Sequence, residues 1–243
     1  MPRRTKHYGN CPYCGKHNKL TKDHIIPQCL FPDDEPLPID FPNIYVCSSC
    51  NNVWKSEYDT YLRDILVNDR ACAKNPIAQK VRAKYYRAAS NNRSIMARDL
   101  AERWELVGLE EPSGLISSFA KTLPDAMKRC NIIMPLIVRG MYQFYLHTTL
   151  PKDIPFRVAR VIKRQEMEAL TREMNEKGGV YHNIGDGNVF QFAFWPRQED
   201  VYSEVWILNF YRSIRYVVFV AAQVPEKNRD CIIVCVNGQN LNH

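Results

Sequence analysis

Residues 22–28 read KDHIIPQ: an acid and a histidine side by side, then an apolar pair and a proline. CPYCG (11–15) stands upstream and CSSCNN (47–52) downstream. The fold turns on whether Asp23 and His24 are a working pair or a polar step between two halves of a metal knuckle. Alone, an Asp-His step says little, because caps and packing pairs use the same residues.

The cysteines narrow the choice. The chain has nine, and four of them form two C-x2-C pairs, Cys11/Cys14 and Cys47/Cys50. Two such pairs supply four thiolates to one tetrahedral zinc, each pair placing two sulfurs on one tight turn. Gly15 suits the turn that a knuckle needs. Such a site is closed and structural, and a loop-rich segment with little core depends on it to fold. His7 and His17 lie nearby, but four thiolates need no further ligand. The remaining cysteines show no ligand-like spacing; Cys231 and Cys235, in CIIVCV, read as core residues.

Between and after the pairs stand DHIIP (23–27), Asn43, Asn51 and Lys55. In this order they resemble the HNH endonuclease family, whose pattern runs C-x2-C, D-H-(I/V)-x-P, Asn, C-x2-C-(H/N), then Lys four residues on. The resemblance covers residues 8 to 60. It implies an α+β chain: an N-terminal zinc-stapled ββα-metal core over 1–70, a basic helical DNA-holding extension over 71–110, and a C-terminal α+β region over 111–243 with an antiparallel sheet. It implies a metal-dependent hydrolase of DNA phosphodiesters. His24 would be the general base, Asn43 would orient its imidazole, and Asp23 with Asn51 would hold one Mg²⁺ or Mn²⁺ through oxygen. Cys11, Cys14, Cys47 and Cys50 would hold the structural Zn²⁺. Lys55 would contact phosphate or give electrostatic support. Many relatives carry histidine where this chain has Asn51, which makes it an H-N-N variant. Small HNH proteins with added regions occur in mobile elements, restriction and anti-phage defence. The alternatives are a zinc-stabilised nucleic-acid-binding module without catalysis, and a nuclease acting on RNA.

Charge agrees with a polyanionic partner. The chain carries 33 Lys+Arg and 26 Asp+Glu, net +7. Residues 1–100 hold 16 basic and 10 acidic residues, a net of +6, so the excess sits with the paired cysteines. From Arg70 to Arg98 there are eight basic residues and no acidic one. Lys80, Arg82, Lys84 and Arg87 are therefore expected to grip a phosphate backbone. Tyr85 and Tyr86 among them read as packing residues. Asp33, Asp34, Glu35 and Asp40 read as solvated loop acids.

Along the rest of the chain, residues 1–50 predict loops and a short hairpin, with NIYVC (43–47) as a strand. Apolar spacing predicts helices from Asn51, over 77–90, over 95–106, over 115–129, over 132–147 and over 157–177, the last capped by Gly178-Gly179. GLEEPSG (108–114) reads as a linker. VYHNI, NVFQFAFWP, EVWILNFY and IRYVVFVAAQV predict an antiparallel meander of three to five strands. Trp195, Tyr202, Trp206 and Tyr211 read as core. The second half shows no recognisable site; dimerisation, binding of a regulatory protein, trigger sensing or target positioning are its expected roles. No apolar run approaches the length of a bilayer span, and no secretory pattern opens the sequence, so cytoplasmic residence is expected.

Overall fold

The structure, a computed structural model, describes residues 7–91, 105–110, 116–122, 126–196 and 204–220. The fold is α+β. Three strands, β1 (His7–Asn10), β2 (His17–His24) and β3 (Asn43–Cys47), form an antiparallel sheet in the order β1-β2-β3. A π-helical turn (Ser49–Lys55) leads into α1 (Ser56–Val67), and α2 (Pro76–Asn91) follows. The expected hairpin, the NIYVC strand and both helices are present.

The next segment corrects the sequence reading. Residues 105–110 (β4) and 116–122 (β5) pair as an antiparallel hairpin. The helix expected over 115–129 is thus a strand through its first half, and part of the expected linker lies in β4. ISSFAKT combines β-branched Ile and Thr with two serines, a weak helix former that suits a strand. The helix expected over 95–106 falls mainly outside the described residues, as do Arg93, Arg98, Tyr202, Cys231 and Cys235.

α3 (Ala126–Tyr145) starts earlier than its apolar spacing suggested and carries Pro135 inside it. β6 (Phe156–Val161) and α4 (Arg164–Glu176) replace the single helix expected over 157–177. FRVARV becomes a strand because it pairs with an apolar neighbour strand; tertiary pairing overrides its charged composition. The expected glycine cap is present: Gly178 has φ +71°, and Gly179 N–H donates to Met174 O at 2.8 Å, a Schellman closure. The meander β7 (Val180–Ile184), β8 (Phe190–Pro196), β9 (Glu204–Phe210) and β10 (Ile214–Val220) follows, and β6 adds beside β10. The five-stranded order is β6-β10-β9-β8-β7.

α3 is the centre of the molecule. Cys130, Ile133, Met134, Ile137, Val138, Met141 and Tyr142 are buried at three- and four-residue spacing, so apolar surface runs along the helix. α3 packs on α1, β3, β6 and β10. One hydrophobic core accordingly runs from Cys11 and Ile25 to Phe190, Trp206 and Tyr216. A smaller cluster beneath α4 gathers Met174, Ala193, Trp195, Val205, Ile207 and Val217. Trp195, Trp206 and Tyr211 are all buried, as expected. Among the described residues no helix is long and apolar enough to cross a membrane.

Candidate metal centre and histidine site

The β1–β2 connection carries Cys11 and Cys14. Its turn closes through Gly15 N–H to Cys11 O at 2.8 Å and Cys11 N–H to Lys16 O at 3.0 Å, with Gly15 at φ +74°. β3 ends on Cys47, and the π-helical turn supplies Cys50. All four Sγ atoms lie within 4.8 Å of one another. Zinc–sulfur bonds of about 2.3 Å in a tetrahedron set neighbouring sulfurs about 3.8 Å apart. Cys14 Sγ stands 3.7 Å from Cys47 Sγ, so the spacing fits a structural metal ion such as zinc. Burial raises the Cys11 and Cys50 thiols. Burial also acts on Cys47, but hydrogen bonds from Ser49 and Cys50 outweigh it and bring this thiol to about 6. The cluster therefore holds a ready thiolate. His7 instead packs against the Tyr45 ring at a tilt, and His17 meets Asn10 at 3.3 Å.

The pairing of β2 with β3 decides where the other residues point. His24 pairs with Asn43, Lys22 with Tyr45, and Leu20 with Cys47. Successive strand residues alternate faces, so His24 and Asn43 share one face while Asp23 occupies the other. Asp23 is buried. Its Oδ2 accepts from Tyr13 Oη at 3.0 Å, and its Oδ1 lies 3.3 Å from Lys55 Nζ. Lys55, 4% exposed, also donates to Asp59 Oδ2 at 2.9 Å and to the His24 carbonyl at 2.6 Å. With its ammonium committed to these three partners, Lys55 has no N–H left over for a phosphate. Burial pushes the Asp23 carboxyl above its ordinary value, against the pull of Lys55.

His24 closes β2, half-buried beside Phe41 at 5.2 Å between ring centres. Its Nε2 meets the Gln28 side-chain amide at 2.9 Å, and its Nδ1 is buried without a hydrogen-bond partner. Burial and the adjacent Lys22 charge hold the imidazole below its ordinary 6.5, so it is neutral at pH 7. Asn43 makes no hydrogen bond to the imidazole; its Nδ2 donates to Phe41 O at 3.1 Å, at the entry to β3. Asn51 Nδ2 donates to Thr21 Oγ1 at 3.1 Å and to Lys22 O at 3.0 Å. Its carbonyl oxygen takes no hydrogen bond among the described residues. Ile25 and Ile26, both 0% exposed, anchor the histidine from behind.

Sequence reasoning passed over Tyr13, Asp59, Gln28 and Thr21. Signals existed for three: Asp59 follows Lys55 by a helical turn, Gln28 follows His24 by four residues, and Tyr13 lies inside CPYC. On α2, Lys80 pairs with Asp34 and Glu35 at 3.0 and 2.9 Å, and Lys84 pairs with Asp33. The loop acids are thus exposed but engaged. Arg82 and Arg87 have no ion-pair partner among the described residues. Tyr85 is buried, as expected, whereas Tyr86 is exposed and donates to Asn68 Oδ1 at 3.0 Å.

Comparison with protein-family models, with curated proteins and with solved structures finds no match to this chain.

Proposed function

We propose that the chain is a metal-dependent endonuclease of the HNH type that hydrolyses DNA phosphodiesters. One observation carries the reading: His24 and Asn43 are cross-strand partners on the same face of a hairpin pinned by four clustered cysteines. Asn51 leaves that cluster with a free carbonyl oxygen.

In this reading the neutral His24 takes the proton of the attacking water. Exposed Gln28 holds the Nε2 position until the water takes it. Asn43 steadies the strand opposite through Phe41 O, and Lys55 fixes the His24 backbone from below. Asn51 and Asp23 would hold a Mg²⁺ or Mn²⁺ through oxygen, and the ion would supply Lewis-acid stabilisation of the leaving oxygen. Arg82, Arg87, Lys80 and Lys84 on α2 hold the phosphate backbone.

The commitment of both Asp23 oxygens favours a second reading: a zinc-stabilised nucleic-acid-binding module without catalysis. Plasmid cleavage with Mg²⁺ or Mn²⁺ separates the two, and parallel labelled DNA and RNA identify the substrate. The endonuclease reading expects His24→Ala to abolish cleavage while binding persists. It also expects a rate that falls only below pH 6.5, because the base must be neutral and its titration is displaced downward. No cleavage by the parent, or equal cleavage by the variant, rejects it.

A further inference from the structure

A row of four polar side chains crosses the face of the five-stranded sheet that α4 covers. Asn183 on β7 pairs with Gln191 on β8, Gln191 with Asn209 on β9, and Asn209 with Arg215 on β10. Hydrogen bonds link the amides: Gln191 Nε2 donates to Asn183 Oδ1 at 2.9 Å, and Asn209 Nδ2 donates to Gln191 Oε1 at 2.8 Å. The chain of bonds stops there. Asn209 Oδ1 is buried without a hydrogen-bond partner. Arg215, next in the row, has no ion-pair partner among the described residues. A buried acceptor beside an uncommitted guanidinium costs stability unless something fills the gap.

Space for it exists. A cavity of about 170 Å³ lies over the amide row, walled by Met167, Met174, Phe192 and Ile207. A wider one of about 710 Å³ adjoins it and shares Met167, Thr171 and Arg215. Lys163, Arg172 and Arg215 line the wider cavity against a single acid, Glu168. Together the two cavities have the size of small-molecule sites, the inner one presenting mainly apolar surface and the wider one mainly polar and cationic residues.

We propose that this cleft binds a nucleoside monophosphate. The inner cavity takes the flat base between Met167, Met174 and Ile207. Amides offer paired donors and acceptors that match a base edge. An N–H of the base satisfies Asn209 Oδ1, and the phosphate meets Arg215, Arg172 and Lys163 at the mouth. Gly187 bounds the far end; a Cβ there would stand 2.7 Å from Asn183 Oδ1.

Titration calorimetry of the full zinc-loaded chain tests this with the 5′-monophosphates of adenosine, guanosine, cytidine and uridine. The free nucleosides and inorganic phosphate run in parallel. At least one monophosphate should bind, with its nucleoside weaker and phosphate alone weakest. Arg215→Ala should weaken the monophosphate about tenfold. Asn209→Leu should weaken nucleoside and monophosphate alike by about tenfold. Lys152→Ala, exposed in the loop after α3 and outside the lining of both cavities, should change nothing. Unliganded melting curves check that each variant is folded; should Arg215→Ala fail, Arg172→Ala carries the same prediction. The proposal is overturned by no binding, by phosphate binding as well as any nucleotide, or by affinities that the cleft variants leave unchanged.

Discussion

Lys55 is a cation buried among two carboxylates, a carbonyl and little water. It pairs with Asp23 and Asp59 and donates to His24 O. Burial pushes the Asp59 carboxyl up to about 6 despite this partner, so both acids depend on Lys55 to stay ionised. Lys55→Met would strand the buried Asp23 carboxylate and the partly buried Asp59 one, and we expect a loss of about 3 kcal/mol in urea unfolding at neutral pH. The sign with pH follows. Once the acids protonate, the stranded groups are neutral, so the loss should shrink at about pH 5 relative to about pH 8. Spacing marked Lys55 as a site residue, but burial is a property of the fold: only the seating of the π-helical turn against the end of β2 buries a surface-type lysine there. The same holds for Asp23 and His24, whose opposed faces follow from strand alternation and whose separate surroundings do not.

At the scale of elements, the hairpin β1-β2-β3 has little core of its own and is closed by the cysteine cluster at one end. A structural zinc there contributes about 10–16 kcal/mol in isolated zinc-finger peptides. Purified protein should therefore contain one zinc per chain by elemental analysis, and Cys47→Ser should lose the metal and lower the melting temperature. α2 presents a different case. Its basic face was legible because no acid interrupts it, yet acids 33–35 reach it from a loop about 45 residues earlier. Lys80 and Lys84 are thereby partly neutralised, and any polyanion must displace these contacts. Changing Asp33, Asp34 and Glu35 to Asn, Asn and Gln should tighten DNA binding and steepen its salt dependence, measured by fluorescence anisotropy across a salt series. The strands β7 to β10 were readable from β-branched and aromatic runs. β5 and β6 were not, since their short mixed sequences become strands through pairing.

In the whole molecule, α3 joins the two halves. Gly140 lies so close to Ile25 of DHIIP that a Cβ would stand 2.8 Å from Ile25 Cγ2. Gly140→Ala should cost about 1–3 kcal/mol by overpacking, read from denaturant unfolding, and should disturb the His24 strand end more than the far sheet, read by hydrogen exchange. Nothing in IVRGM announced this contact, because a glycine inside a helix has several causes. Buried Arg139 beside it holds the loop after α3 through Leu150 O and Lys152 O at 3.1 and 2.9 Å.

The bond from Tyr211 Oη to Leu30 O, 2.7 Å long, joins residues 181 positions apart. Asn75 Nδ2 in turn holds the Tyr211 carbonyl at 2.7 Å. Translation delivers the cysteine pairs and His24 long before Tyr211, and long-range contacts form last. A nascent chain on the ribosome thus displays every residue of the candidate site while the wall behind DHIIP is still unmade. A message truncated before β9 would release a chain whose hairpin lacks this bond and the packing behind it.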